Sequence, residues 1–189
     1  MFASLLGAAV PGLSGEQMQA LEAHYRLLER WNRSLNLTTI ERLEDVVLRH
    51  YAESLFVGRF LEPSPQRIVD IGSGAGFPGF PLAILRPDCT VTLVESHQRK
   101  AVFLKEASRR VANIRVVAKR AEEVRESFDW AVSRAVSYTA LREIMPRMAP
   151  SAAFLGGLEL GRDTLRYVWQ GPIPVPWGER RFLWVGQAR

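Results

Sequence analysis

Three glycines at alternating positions follow a short apolar run and are the first candidates for a binding site: Gly72, Gly74 and Gly76. An aspartate, Asp70, stands two positions before the first of them. A loop of bare backbone between a strand and a helix lets a ligand approach the main chain at the positive end of the helix. The stretch VDIGSGAGFPG at 69–79 therefore predicts a small-ligand site. Its aspartate can support the loop, order water near a cationic ligand, or serve only as a turn residue.

Glu95 ends the next β-branched run, TVTLVE, 23 residues after Gly72. Dinucleotide-binding loops have the pattern GxGxxG, with an acid about 20 residues further on. Phe77 stands where that pattern needs its third glycine, so a dehydrogenase is the weakest interpretation. Glu95 can accept hydrogen bonds from both hydroxyls of a ribose, or it can simply adjoin a helix start. We expect S-adenosylmethionine as the cofactor, because it has a ribose and a small amino-acid end but no pyrophosphate.

The net charge of the chain is +5, and the excess is concentrated in residues 97–120, where eight Lys and Arg face a single acid, Glu106. Such a segment is either a solvated helix face or a patch that contacts the phosphates of a nucleic acid. Lys100 lies within the apolar arc of its predicted helix, so it either frays outward at the first turn or points toward the ligand cleft. The candidate RNA-binding residues are Arg99, Lys100, Lys105, Arg109, Arg110, Lys119 and Arg120.

Other kinds of site have little support in the sequence. Cys89 is the single cysteine, which excludes an internal disulfide, and the histidines His24, His50 and His97 are far apart, so no metal site is expected. The apolar start MFASLLGAAVPG has no Lys or Arg before it and is too short to span a bilayer. We expect an amphipathic arm there, with a membrane or partner contact as the alternative. For the protein as a whole we expect a cytoplasmic location and no membrane partner.

The elements that must position these residues begin with helices in residues 1–65. The stretch SGEQ at 14–17 predicts a capped helix start, and apolar residues then recur at three- and four-residue spacing as far as Trp31. NLTTI interrupts this pattern, and a second helical run follows until Pro63 and Pro65 close it. Residues 1–65 therefore predict a helical extension.

From residue 66 the pattern becomes an alternation of strands and helices. Strands are predicted at RIVDI (67–71), TVTLVE (90–95), NIRVVA (113–118), FDWAVSRA (128–135) and AAFLGG (152–157). Helices are predicted at GFPLAIL, at 97–111 and at about 138–148. This alternation predicts a mostly parallel, doubly wound α/β sheet, and the closely spaced runs IPVPW and RRFLWVG predict an antiparallel end. We expect residues 66–189 to pack with the helical extension as one unit.

Several stretches together resemble the bacterial small-subunit rRNA guanine-N7 methyltransferase family, RsmG, also called GidB. They are NLTTI, VVLRHYAESL, VDIGSGAGFPGFPLAI, VESHQRKAVFL, RAEE and FDWAVSRAV, in the family's order and spacing, over about residues 30–140. The resemblance implies a class I (Rossmann-like) S-adenosylmethionine-dependent methyltransferase fold preceded by helices. It also implies methyl transfer to N7 of a guanine, position 527 in the 530 loop of 16S rRNA. The partner would be 16S rRNA or the small ribosomal subunit, and we expect a monomer.

The resemblance further implies which residues contact the cofactor. Gly72 and Phe77 would do so from the glycine loop, Ala121 and Glu122 from beside the adenine, and Arg134 from the end of a strand. The family often carries a Lys-Gly pair near the fifth strand, where this chain has FLGGLEL, so no lysine is given a role there.

The implied reaction explains why the loops show no nucleophile–base pair. Guanine N7 carries a free lone pair at neutral pH and attacks a methyl group without first losing a proton, so we assign no catalytic base. Positioning candidates are Arg134 and His50, the latter within RHY. An arginine reads the N7/O6 edge of guanine, but N7 must stay free, so Arg134 would contact O6 or a phosphate. Alternatively, Arg134 forms a structural ion pair and Phe77 belongs to the core.

Two other functions remain open at this level. A methyltransferase acting on a small molecule or protein would need no RNA, which leaves the basic segment without a purpose. A non-catalytic RNA-binding or ribosome-assembly factor with the same fold would bind RNA but not the methyl donor.

Overall fold

The strands and helices alternate as the sequence predicts. The computed structural model describes residues 1–64, 66–158 and 166–189. Its strands are β1 (Arg67–Ile71), β2 (Thr90–Val94), β3 (Ile114–Val117), β4 (Trp130–Arg134), β5 (Ser151–Gly156), β6 (Tyr167–Pro174) and β7 (Phe182–Ala188). Its helices are α1 (Phe2–Ala9), α2 (Gly15–Leu35), α3 (Leu43–Val46), α4 (Glu53–Val57), α5 (Gly79–Leu85), α6 (Gln98–Ala107), α7 (Tyr138–Leu141) and α8 (Met145–Met148). A π-helical segment, Val47–Ala52, joins α3 to α4, and 3-10 turns cover Gly58–Phe60 and Ala121–Glu123.

The seven strands form one sheet in the order β3-β2-β1-β4-β5-β7-β6. Strands β1 to β5 are parallel, whereas β7 runs antiparallel between β5 and β6. The chain order reverses between β1 and β4, and in such sheets ligands bind in the crevice at the carboxyl ends of the strands where this reversal occurs. The predicted antiparallel end is confirmed, and the glycine loop and Arg134 both lie at this crevice because they end β1 and β4.

Three predicted boundaries are wrong. The helix predicted at 97–111 ends at Ala107, and the helix predicted at about 138–148 is two short helices, α7 and α8. Proline at the start of α8 explains that break, because its ring is incompatible with the interior of a continuous helix. The penultimate strand begins at Tyr167 rather than within IPVPW. It lies at the sheet edge, where prolines are tolerated, and its register shifts between Gln170 and Ile173.

Two features of the sequence analysis lie partly outside the described residues. The first is the pair of prolines expected to close the helical extension, of which Pro65 is not described. The second is the stretch FLGGLEL, of which the last two residues, Glu159 and Leu160, are not described.

The helices of the extension pack directly on the sheet. The predicted capping box is confirmed: the Gln17 amide donates to the Ser14 hydroxyl, and the Gln17 side chain accepts from the Ser14 amide. Leu21 and Leu28 on α2 are buried in the same hydrophobic cluster as Leu93 of β2. No helix in the described part of the chain is both long and apolar enough to cross a membrane. The division at residue 66 into an extension and a sheet domain stays a prediction.

Candidate active site

The glycine loop leaves β1 in a conformation that favours glycine. Gly72 has a φ of +73° and Gly74 a φ of +56°, both in the left-handed region. The amides of Gly72 and Ser73 donate to the Val94 carbonyl at 2.9 and 3.1 Å, which fixes the loop to the end of β2. A Cβ at Gly72 would lie 2.5 Å from a methyl of Val136, whereas a Cβ at Gly74 would meet only the Gly72 carbonyl, at 3.9 Å. The backbone at Gly74 is therefore open to a ligand.

Gly76 serves packing rather than the cavity. A Cβ there would lie 3.1 Å from Phe80 and 3.3 Å from His24 Nε2. The His24 ring lies beneath the loop: its Nε2 donates to the Ala75 carbonyl at 3.0 Å, and its Nδ1 accepts from the Tyr51 hydroxyl at 2.7 Å. Burial lowers the pKa of His24 to about 3, so the ring stays neutral and keeps this pair of bonds.

A cavity of about 360 Å³ opens above the loop at the ends of β1 and β4. Its walls include the backbone of residues 72–75, Phe77, Glu95, Lys100 and Arg134. On the opposite side, Leu37, Thr38 and His50 close the cavity from the helical extension. The site is therefore built between the sheet and the helices that precede it.

Glu95 is buried and binds the loop through both carboxylate oxygens. Oε2 accepts from the Gly74 amide at 2.9 Å, and Oε1 accepts from the His97 amide at 2.7 Å. A carboxylate oxygen can accept more than one hydrogen bond, so lone pairs remain for the hydroxyls of a ribose. This arrangement fits the role expected for Glu95.

Asp70 lies beneath the loop and is completely buried. Its Oδ2 accepts from the Gly79 amide at 2.9 Å, while its Oδ1 has no hydrogen-bond partner among the described residues. Burial raises the pKa of Asp70 from 3.8 to about 7, and the Gly79 amide only partly offsets this effect. Asp70 therefore supports the loop from a buried position and is not among the residues that line the cavity.

Phe77 connects the loop to the two positioning candidates. Its buried ring stacks on His50 with the ring centres 4.6 Å apart, and the Arg134 guanidinium lies 5.4 Å from its centre. Arg134 Nη2 donates to His50 Nδ1 at 2.6 Å, and Arg134 Nη1 donates to the Arg49 carbonyl. Both His50 and Arg134 are thus bound to the protein rather than directed freely into the cavity.

Glu53 holds Arg134 in place. This glutamate has no exposed side-chain surface; its Oε2 lies 3.8 Å from Arg134 Nη1, and both oxygens accept from Arg181. The ion pairs join α4, the end of β4 and the segment before β7. Arg134 is therefore part of a buried ion network, which is the structural role that the sequence leaves open for it. The same residue also lines the cavity.

The remaining candidates lie at different distances from the cavity. The 3-10 turn with Ala121 and Glu122 follows β3 at the same edge of the sheet, but neither residue lines the cavity. Lys100 lines the cavity, which agrees with the interpretation that its side chain points toward the ligand cleft.

The basic segment divides between two edges of the sheet. Arg99, Lys119 and Arg120 lie near the ligand edge, where Gln98 contacts the Ala118 carbonyl at 3.5 Å. Arg109 and Arg110 follow the far end of α6 and line a separate groove beside α2. Lys105 is exposed in the last turn of the same helix.

The sequence did not predict the residues that support the cavity-lining side chains and the glycine loop. These residues act through contacts between distant parts of the chain, and they are Thr38, Glu53, His24 and Arg181. NLTTI and RHYAES, noted only as similar stretches, supply Thr38 and Glu53. The sequence does contain one signal for Thr38: the stretch NLTTI, which interrupts the two helical runs, has polar residues at its centre.

The family model described as "rRNA small subunit methyltransferase G" (GidB) matches residues 17–151 of the chain. The chain belongs to this family. It is 41% identical over 134 residues to a ribosomal RNA small subunit methyltransferase G of Desulforamulus reducens, covering 66% of the chain and 56% of the relative. It is 47% identical over 126 residues to that of Dichelobacter nodosus, covering 65% and 59%. The chain thus spans less than two thirds of the length of these relatives.

Solved structures with little sequence identity share the fold. A ribosomal protein L11 methylase from Lactobacillus delbrueckii subsp. bulgaricus superimposes with a TM-score of 0.61 at 11% identity, covering 75% of this chain and 79% of that one. A SAM-dependent methyltransferase from Aquifex aeolicus gives 0.60 at 13% identity, covering 76% and 93%. The predicted Rossmann-like methyltransferase fold is confirmed.

Replacing Glu53 by glutamine should destabilise the protein, because two arginines lose the carboxylate that neutralises them in a buried position. We expect E53Q to lower the free energy of unfolding by about 3 kcal/mol, as is typical when one partner of a buried ion pair is removed. Urea unfolding measures the change. Glu44 is 62% exposed and 3.9 Å from Arg42, so E44Q is the matched control and should change stability by less than about 0.5 kcal/mol. Equal effects of E53Q and E44Q would contradict this role.

Replacing Asp70 by asparagine should remove a pH-dependent loss of stability. The unfolded chain ionises Asp70 near pH 3.8 whereas the folded protein keeps the proton to about pH 7, so the contribution is complete below about pH 4 and is lost as the pH rises to about 7. Relative to D70N, the wild type should lose up to about 4 kcal/mol over that interval. Urea titrations at several pH values measure the difference. A difference that does not change with pH would contradict the raised pKa.

Proposed function

We propose that this protein is an S-adenosylmethionine-dependent enzyme that methylates N7 of a guanine, position 527 in the 530 loop of 16S rRNA. The observation that carries the proposal is the cavity at the reversal of strand order, with open backbone at Gly74 and the carboxylate of Glu95 beside it. Family membership supports the same assignment. The proposed substrate places the protein in the cytoplasm, and a monomer stays a prediction.

The residues of the cavity fit the methyl donor. Gly74 leaves room for close approach to the main chain, and Glu95 keeps lone pairs for ribose hydroxyls. Phe77 provides a rigid apolar wall. S-adenosylmethionine supplies an electrophilic methyl group on a positively charged sulfur when it is bound.

The chemistry asks for positioning rather than for a base. The N7 lone pair forms the new N–C bond, the electrons of the S–C bond stay on sulfur, and the positive charge passes to the purine. No proton moves in this step. His50 matches this requirement, because burial and then the neighbouring Arg134 lower its pKa to about 2 and the ring stays neutral. Correct placement of two reactants can supply up to roughly 7–11 kcal/mol of the barrier.

The donor-binding role of the loop can be tested at Gly74. G74A should weaken S-adenosylmethionine binding at least about tenfold, because the added methyl group occupies the space that the ligand needs to approach the backbone. The fold should be retained. Isothermal titration calorimetry measures the affinity. Gly12 also has a positive φ, of +94°, and no atom near its added Cβ, so G12A is a control for backbone strain away from the cavity. Loss of donor affinity in both variants, or in neither, would count against the site.

RNA contact is proposed for the basic residues near the ligand edge, because a base in the crevice places its flanking phosphates there. The double variant K119E/R120E should weaken RNA binding and reduce the slope of log affinity against log salt by about 1, as expected for losing one or two phosphate contacts. R109E/R110E changes the charge equally at the opposite end of α6 and should have the smaller effect. Filter binding at several salt concentrations compares them. A larger effect of R109E/R110E would move the RNA to the groove beside α2.

The function itself is tested by mapping N7-methylguanine in 16S rRNA of cells with and without the protein. The modification should disappear in the deletion strain and return when the wild-type gene is supplied. A non-catalytic assembly factor would bind RNA without binding the methyl donor, and a small-molecule methyltransferase would leave the rRNA unchanged. Either result would refute the proposal.

A further inference from the structure

A second cavity of about 480 Å³ adjoins the donor cavity. Its outer walls are Asn36, Thr39, Ile40, residues 155–157 and the pair Arg180 and Arg181. The two cavities share a wall, which consists of Leu37, Thr38, His50, Arg134 and Ala135. Because the same five residues line both cavities, a purine in the second cavity would lie directly beside the donor cavity.

The hydrogen bonds in the wall have a fixed direction. A guanidinium can only donate, so His50 Nδ1 must accept from Arg134 Nη2. The neutral ring then carries its proton on Nε2, which donates to Thr38 Oγ1 at 2.7 Å. Thr38 Oγ1 accepts a second hydrogen bond from the Ile40 amide at 3.1 Å. Donation thus runs from Arg134 through His50 to Thr38.

This direction leaves the hydroxyl proton of Thr38 unused. An oxygen that accepts two hydrogen bonds has one further position, and the O–H bond must occupy it. Thr38 is half-buried, and within residues 1–64, 66–158 and 166–189 no acceptor takes the proton. Since Thr38 lines both cavities, its O–H is a donor located where they meet.

A donor at this position distinguishes the two purines. Guanine and adenine both present N7 as an acceptor, but beside it guanine has the acceptor O6 and adenine has a donor amino group. Because N7 must remain free to react, an enzyme that selects guanine by this edge has to read O6. Arg134 is occupied by His50, the Arg49 carbonyl and Glu53, so Thr38 is the better placed group.

We propose that the second cavity receives the target base and that the Thr38 hydroxyl selects guanine by donating to its O6; this rests on the proposed function. Positive charge develops on the purine as N7 gains the methyl group, which weakens O6 as an acceptor. The hydrogen bond therefore contributes more to binding the substrate than to the transition state. Thr38 is a specificity residue whose loss acts mainly on KM.

The experiment uses small subunits reconstituted with 16S rRNA that carries guanine, inosine or 2-aminopurine at the target position. Inosine keeps N7 and O6, whereas 2-aminopurine keeps N7 and lacks O6. Methyl transfer gives kcat and KM for wild type, T38V, T38S and T90V. Calorimetry gives the S-adenosylmethionine affinity of each protein, and binding of the subunits with S-adenosylhomocysteine present gives a readout independent of turnover. Thr90 is exposed at the start of β2, away from both cavities, so T90V is the matched control.

T38V should lose about tenfold in kcat/KM on guanine and inosine, mainly through KM, and should be unchanged on 2-aminopurine, where no hydrogen bond remains to be lost. Subunit affinity should fall by a similar factor, T38S should restore most of both, and donor affinity should stay within about twofold. T90V should behave as wild type.

Two results would overturn the inference while leaving the proposed function in place. One is an equal loss by T38V on all three bases, which would indicate a purely structural role. The other is a wild-type enzyme that methylates 2-aminopurine as well as guanine. If the wild type neither binds the donor nor methylates any of the three subunits, the proposed function fails and this inference fails with it.

Discussion

The buried carboxylate of Glu53 is the contact on which the geometry of the site depends. Burying a charge is costly unless it is paired, and Glu53 meets this requirement with arginines from two distant parts of the chain. Because Arg134 is held by this pairing, its hydrogen bond to His50 is fixed in position, and so is the stack of His50 on Phe77. The helical extension, the sheet crevice and the final hairpin thus meet at one ion network.

The glycine loop is supported independently from below. Asp70 binds the start of α5, and His24 reaches from α2 to the Ala75 carbonyl. Both groups are deeply buried, and burial shifts their pKa values toward the neutral forms, to about 3 for His24 and about 7 for Asp70. The loop therefore rests on a neutral imidazole and on a carboxyl group that loses its proton only near neutral pH.

The sequence was sufficient for what local pattern determines. Alternating apolar runs predicted the parallel sheet. The types and spacing of Gly72, Gly74 and Glu95 predicted a ligand loop; these residues line one cavity, and the ligand stays a prediction. Contacts between distant segments could not be predicted in this way. Nothing near Glu53 in sequence indicates that Arg181 pairs with it, and the three alternating glycines give no sign that Gly76 faces His24 rather than the ligand. Helix ends were misplaced where Pro146 broke an otherwise helical pattern.

The position of β7 between β5 and β6 has a consequence for synthesis on the ribosome. β6 is made first, yet among the described residues the strand that pairs with it is β7, so β6 stays unpaired while it emerges. Arg181 immediately precedes β7 and reaches Glu53 only when that strand inserts. A nascent chain therefore completes the ion network of Glu53 late, after the glycine loop has already been translated.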